Sequence, residues 1–130
     1  MQTILLVEND AAKLVARSLI LRCFGYTVLE AGSRGEAWRV CHNHSGPIHL
    51  ILTTAIPANS SSIQFVARLQ LLYPEIRALF LSDALSSEWA DKQGMPECAF
   101  LQEPFRVDVL ADTIRGLLDR PKTTRAASLS

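Results

Sequence analysis

The stretch His49-Leu-Ile-Leu-Thr-Thr-Ala-Ile-Pro57 decides how the chain is read. Its short apolar run, closed by two threonines and a proline, has the pattern of a strand buried on both faces in a parallel sheet. In such sheets ligands and chemistry collect at the carboxyl ends of the strands, which makes Thr53 and Thr54 the place to look for a reactive residue.

Working outward, four further strands carry the same signature. Thr3-Ile-Leu-Leu-Val7 stops at Glu8-Asn9-Asp10, and Tyr26-Thr-Val-Leu-Glu30, Arg77-Ala-Leu-Phe-Leu-Ser82 and Cys98-Ala-Phe-Leu101 follow. Between them lie helical patterns. Ala12, Val15, Leu19 and Cys23 recur at helical spacing, with Asn9 or Asp10 as N-cap and Gly25 as stop signal. Ser33 with Glu36 forms a capping box for a second helix, whose Ala37, Val40, Cys41 and His44 share a face. Ile63, Val66, Leu69 and Leu72 or Tyr73 mark a third, after a loop from Pro57 to Ser62. A short fourth helix is read around Leu85 and Trp89, and Val107, Leu110, Ala111, Ile114, Leu117 and Leu118 give a fifth with a period near 3.6 residues. Uninterrupted βα alternation predicts an α/β fold, a doubly wound five-stranded parallel sheet with helices on both faces.

The 130 residues suit one domain, predicted over 1–120, with residues 121–130 read as a disordered tail. Thirteen basic and 13 acidic side chains give no net charge, so neither nucleic acid nor an anionic membrane is implied as a partner. Three cysteines and the absence of a basic, apolar leader at Met1 point to reduced thiols and a cytoplasmic protein. No apolar stretch reaches the length of a membrane span. Cys41-His-Asn-His44 lacks a second ligand pair at zinc spacing and is read as structural or exposed residues. Ser60-Ser-Ser62 is read as loop and helix cap rather than a phosphosite cluster.

Ile4-Leu-Leu-Val-Glu-Asn-Asp10, Leu50-Ile-Leu-Thr-Thr54, Leu79-Phe-Leu-Ser-Asp83 and Phe100-Leu-Gln-Glu-Pro-Phe105 strongly resemble the landmark blocks of response-regulator receiver domains, in order, over residues 3 to 119. The resemblance implies a CheY-like (βα)5 flavodoxin-like fold with strand order 2-1-3-4-5. It also implies phosphoryl transfer from a histidine kinase to an aspartate at the end of the third strand. Mg²⁺ would be held by an acidic pair after the first strand, and a Ser or Thr and a Lys would hold the phosphoryl oxygens.

Position by position, the chain departs from that pattern. Glu8 matches the first acid, but Asn9 replaces the second. Thr54 stands where the acceptor aspartate belongs, Ser82 keeps the hydroxyl, Glu103 replaces the lysine, and Phe100 keeps the switch aromatic. A hydroxyl is a poor acceptor without a base to deprotonate it. A carboxylate in the lysine's place repels phosphate by about 4 kcal/mol at ~4 Å and an effective dielectric near 20. Mg²⁺ is expected to bind weakly or not at all, with Glu8 and an inward-turned Asp10 as the residual site, and no cofactor is expected. Glu8, Asp10 and Glu103 are read as a residual acidic cleft without function, with weak cation binding, or pairing of Glu103 with an Arg or Lys that the sequence does not locate, as the alternatives.

The expectation is a pseudo-receiver: a non-enzymatic signalling domain of two-component or phosphorelay type that is not phosphorylated. It would act by contact with a histidine kinase, another regulator or a second copy of itself, through a face including Leu85, Trp89, Met95 and Phe105. Two alternatives are a working receiver with a displaced acceptor, Asp10 or Asp83, and a flavodoxin-like ligand binder. The second is disfavoured because Glu8-Asn-Asp-Ala-Ala12 has no glycine to bring phosphate to the backbone.

Overall fold

The structure, a computed structural model, describes residues 2–54, 61–82 and 98–119. The expected helix around Leu85 and Trp89, Met95, Asp83, most of the loop from Pro57 and the tail from residue 121 lie outside the described residues.

Five strands, β1 (Thr3–Val7), β2 (Thr27–Ala31), β3 (Leu50–Thr54), β4 (Arg77–Ser82) and β5 (Cys98–Gln102), form one sheet in the order β2-β1-β3-β4-β5. Every pairing is parallel. The apolar runs are explained by the pleat, which sends alternate residues to opposite faces. Ile4, Leu6, Leu50, Leu52, Leu79 and Leu81 enter one core, with Leu110, Ile114 and Leu117 of the C-terminal helix (Val107–Asp119). Leu5, Val7, Ile51, Ala78 and Phe80 enter the other, under α2 (Arg34–Asn43) and α3 (Ser61–Leu72). Burying each such aliphatic side chain contributes roughly 1.5–3 kcal/mol.

The first helix, α1 (Ala11–Cys23), is where expected, but its rotation about its own axis differs from the sequence reading. Ala12, Val15, Leu19 and Cys23 face solvent, and the buried residues are Arg17, Ser18 and Leu21, with Leu14 half-buried beside them. The sheet and the C-terminal helix already occupy the apolar side, and the stripe that fits against them is the one anchored by Leu14 and Leu21. Asp10 caps α1, its Oδ1 accepting from the backbone N–H of Ala12 at 3.0 Å and of Lys13 at 3.1 Å. Gly25, at φ 96°, turns the chain out after Phe24, and its N–H donates to the Arg22 carbonyl.

Ser33 caps α2 as expected, accepting from the Glu36 N–H, and Ala37 and Cys41 are its buried residues. In α3, Tyr73 rather than Leu72 lies against the core; Leu72 is 68% exposed. Ser61 and Ser62 belong to the helix rather than to the preceding loop, and Ser62 is buried.

No helix among the described residues is long and apolar enough to cross a membrane.

Candidate functional site

The order of the sheet reverses direction between β1 and β3, which opens a crevice beyond their carboxyl ends. Register sets Val7 opposite Thr53, Thr54 opposite Leu81 and Ser82 opposite Gln102. The residues just past these strands therefore converge: Glu8 after β1, Thr54 closing β3, Ser82 closing β4 and Glu103 after β5.

Glu8 is buried, and both its carboxylate oxygens are engaged. Oε2 accepts from the Asp10 backbone N–H at 3.1 Å. Oε1 accepts from the Thr54 hydroxyl at 3.2 Å and from the Arg17 guanidinium. The other terminal nitrogen of Arg17 donates to Glu103 Oε1, and its Nη1 also lies 3.5 Å from Thr54 Oγ1. The side chains of Arg17, Glu8 and Glu103 are 10%, 5% and 17% exposed. One guanidinium thus bridges two shielded carboxylates, a geometry that the planar fork of arginine suits and the point charge of lysine does not.

Ser82 is fully buried, and its carbonyl accepts the Glu103 N–H at 2.7 Å, which fixes the start of the segment after β5. The following Glu103–Pro104 peptide is cis. Phe100 stacks on the buried Phe80 with ring centroids 4.9 Å apart. Phe105 is half-buried against the core beneath the C-terminal helix. Two clefts flank the Glu8–Arg17 contact. One, of about 400 Å³, is lined by residues including Glu8, Asn9, Ser33, Arg34, Thr53 and Thr54. The other, of about 390 Å³, is lined by Arg17, Glu103, Pro104 and Phe105.

The structure gathers Glu8, Thr54, Ser82 and Glu103, while it directs Asp10 onto the α1 N-terminus and leaves Asn9 exposed. The divalent cation implied by the sequence resemblance does not fit this donor set. Such an ion needs several oxygens in near-octahedral array, whereas both oxygens of Glu8 already accept hydrogen bonds, Asp10 serves as a cap, and a guanidinium lies between Glu8 and Glu103. The Thr54 hydroxyl donates to Glu8 Oε1, and that same oxygen is held by the Arg17 guanidinium. Among the described residues, no group of three or more His, Cys, Asp or Glu side chains could hold a metal.

Known structures share this architecture. A response regulator from Thermotoga maritima matches with a TM-score of 0.77 at 19% identity, over 92% of this chain and 99% of that one. A CheY-like response regulator receiver domain protein from Methanospirillum hungatei JF-1 matches at 0.74 and 23% identity, over 92% and 94%. The fold is that of a response-regulator receiver domain.

A third receiver fold, from the hybrid histidine kinase CckA, matches at 0.69 and 23% identity over 90% of this chain and 99% of that one. By sequence, the chain is 27% identical over 121 residues to the sensor kinase CckA of Brucella abortus (strain 2308), a stretch that is 91% of this chain. It spans 13% of that protein's length. No sequence-family model matches the chain.

Within this receiver fold, Arg17 is the functional-site residue that sequence reasoning missed. A signal for it existed: Leu14, Arg17 and Leu21 share a helical stripe at i, i+3 and i+7, which makes Arg17 a charge on an inward face. It pairs with Glu103, the alternative to an acidic cleft without function.

Proposed function

We infer that this domain is a non-enzymatic receiver-type signalling module of a two-component or phosphorelay system, that it is not phosphorylated, and that it works in the cytoplasm by protein–protein contact. The observation that carries this reading is the Arg17 bridge between Glu8 and Glu103. A phosphoryl group on Thr54 would have to compete with Glu8 and Glu103 for Arg17 and would face both carboxylates at close range. The exposed apolar pair Val15 and Leu19, each 59% exposed, supports action through a surface. The face expected from the sequence to include Leu85, Trp89, Met95 and Phe105 is the other surface proposed for contact. The likeness to a sensor kinase supports a histidine kinase or a fellow regulator as partner, with a second copy of the chain as the other occupant. Three free cysteines are consistent with a reducing compartment.

Incubation with Mg²⁺ and acetyl phosphate, read by intact mass, tests the reading. The expected result is no phosphoryl adduct. An adduct would overturn it, and its loss in Asp10→Ala or Asp83→Ala would identify a displaced acceptor. Sedimentation of the chain alone and with a histidine-kinase dimerisation domain then distinguishes self-association from a heterologous partner.

A further inference from the structure

We propose that Arg17 is a built-in counter-ion: a covalently tethered cation that takes the place of a divalent metal ion and holds the strand-end pocket in one state without it. The inference rests on the receiver reading only in treating this pocket as the place where a metal would otherwise sit.

Three observations converge. Position comes first: Arg17 is delivered from the second turn of α1, and its side chain is nine-tenths buried between Glu8 and Glu103. Valence comes second. Two carboxylates confront each other across the pocket and one guanidinium bonds both, so a metal ion entering there would meet a fixed positive group at the point where it would have to contact the two acids. Coordination comes third. Both oxygens of Glu8 already accept hydrogen bonds, from Arg17, Thr54 and the Asp10 N–H, so a metal would have to compete with these donors.

The mechanical result differs from that of a soluble ion. A metal ion dissociates and its pocket relaxes with it, whereas Arg17 stays at an effective concentration fixed by the chain. The bridge links β1, α1, β3 and the segment after β5. These are the elements that a bound cation and phosphoryl group would otherwise draw together, so the link is permanent and indifferent to metal supply.

The test is a Mn²⁺ titration of the full-length chain followed by water-proton relaxation, with Mg²⁺ competition, on the parent, Arg17→Ala and Arg17→Lys. The parent is expected to show no saturable Mn²⁺ binding at millimolar metal and no shift of its urea midpoint with Mg²⁺. Arg17→Ala is expected to gain saturable, Mg²⁺-competed binding and a Mg²⁺-dependent rise in its urea midpoint, both abolished by adding Glu8→Gln. Arg17→Lys keeps the charge and is expected to remain silent.

Saturable binding to the parent overturns the proposal. So does a folded Arg17→Ala protein without a metal response, since Arg17 would then be an ordinary buried ion pair. If Arg17→Ala fails to fold, Arg17→Gln takes its place, removing the charge while keeping a polar side chain: saturable, Mg²⁺-competed binding upholds the proposal, and silence overturns it. Metal binding by the parent without acetyl-phosphate labelling removes this inference alone. Labelling without parental metal binding removes the proposed function alone.

Discussion

Arg17 and Glu103, 86 positions apart in sequence, form an ion pair at the carboxyl end of the sheet. The pair answers the charge problem posed by an acid at position 103, because the same guanidinium also reaches Glu8. The pocket is therefore a set of mutually bonded residues rather than residues left without partners.

Removing Arg17 strands two shielded carboxylates. Arg17→Ala is expected to destabilise the domain by about 3–5 kcal/mol, the range for breaking a buried pair from one side. Urea denaturation at neutral pH, without divalent cations, checks this. Adding Glu103→Ala is expected to cost less than the sum of the two single changes, as contacting residues do.

The rotation of α1 yields a contrast between neighbouring residues. Leu21→Ala, at a fully buried site, is expected to cost about 2–5 kcal/mol. Leu19→Glu, two positions earlier and 59% exposed, is expected to stay within about 0.5 kcal/mol of the parent. Equal losses at the two sites, measured by urea midpoint, would contradict the orientation of the helix.

Asp10 offers a separate check on the pocket, since its carboxylate serves the helix. Asp10→Ala is expected to lower stability by about 0.5–2 kcal/mol through loss of the cap. It is expected to leave the Mn²⁺ response of the protein unchanged. A cation response that vanished with Asp10 would place its carboxylate in the pocket instead.

Alkaline pH should weaken the fold. Burial pushes the Cys41 thiol above its ordinary 9.0. Burial also raises the Tyr26 phenol above 10.0, against the lowering influence of Arg115 and with a further rise from Asp119. Both groups ionise more readily in the unfolded chain, so their contribution is fully present below these ordinary values and is lost as pH rises through the higher folded ones. Urea midpoints are expected to fall above pH 9.0, with a shallower fall in Cys41→Ala. In the native protein, iodoacetamide is expected to label the exposed Cys23 well before the buried Cys41.

The fold was legible in the sequence because its strands are buried on both faces and read as unbroken apolar runs; Arg77–Ser82 has the same limits in both readings. The pocket was legible by position, since Glu8, Thr54, Ser82 and Glu103 all follow from where strands stop. Arg17 was not, for a physical reason. Two apolar stripes run along α1, Ala12-Val15-Leu19-Cys23 and Leu14-Leu21, and local periodicity cannot decide which one turns inward. That choice belongs to tertiary packing against β1 and β2 and within the core shared with the C-terminal helix. The longer stripe was the natural choice from sequence, and the shorter one carries the charge.

The crowding at Glu8 also constrains its neighbours. An aspartate introduced at position 54 would press a second carboxylate against the one that the Thr54 hydroxyl now contacts at 3.2 Å. A lysine introduced at position 103 would meet the guanidinium that Glu103 now binds. Either single change breaks a satisfied contact before any new one can form. Positions 8, 17, 54 and 103 therefore behave as one interlocked unit, in which an exchange at one position is tolerated only together with an exchange at another.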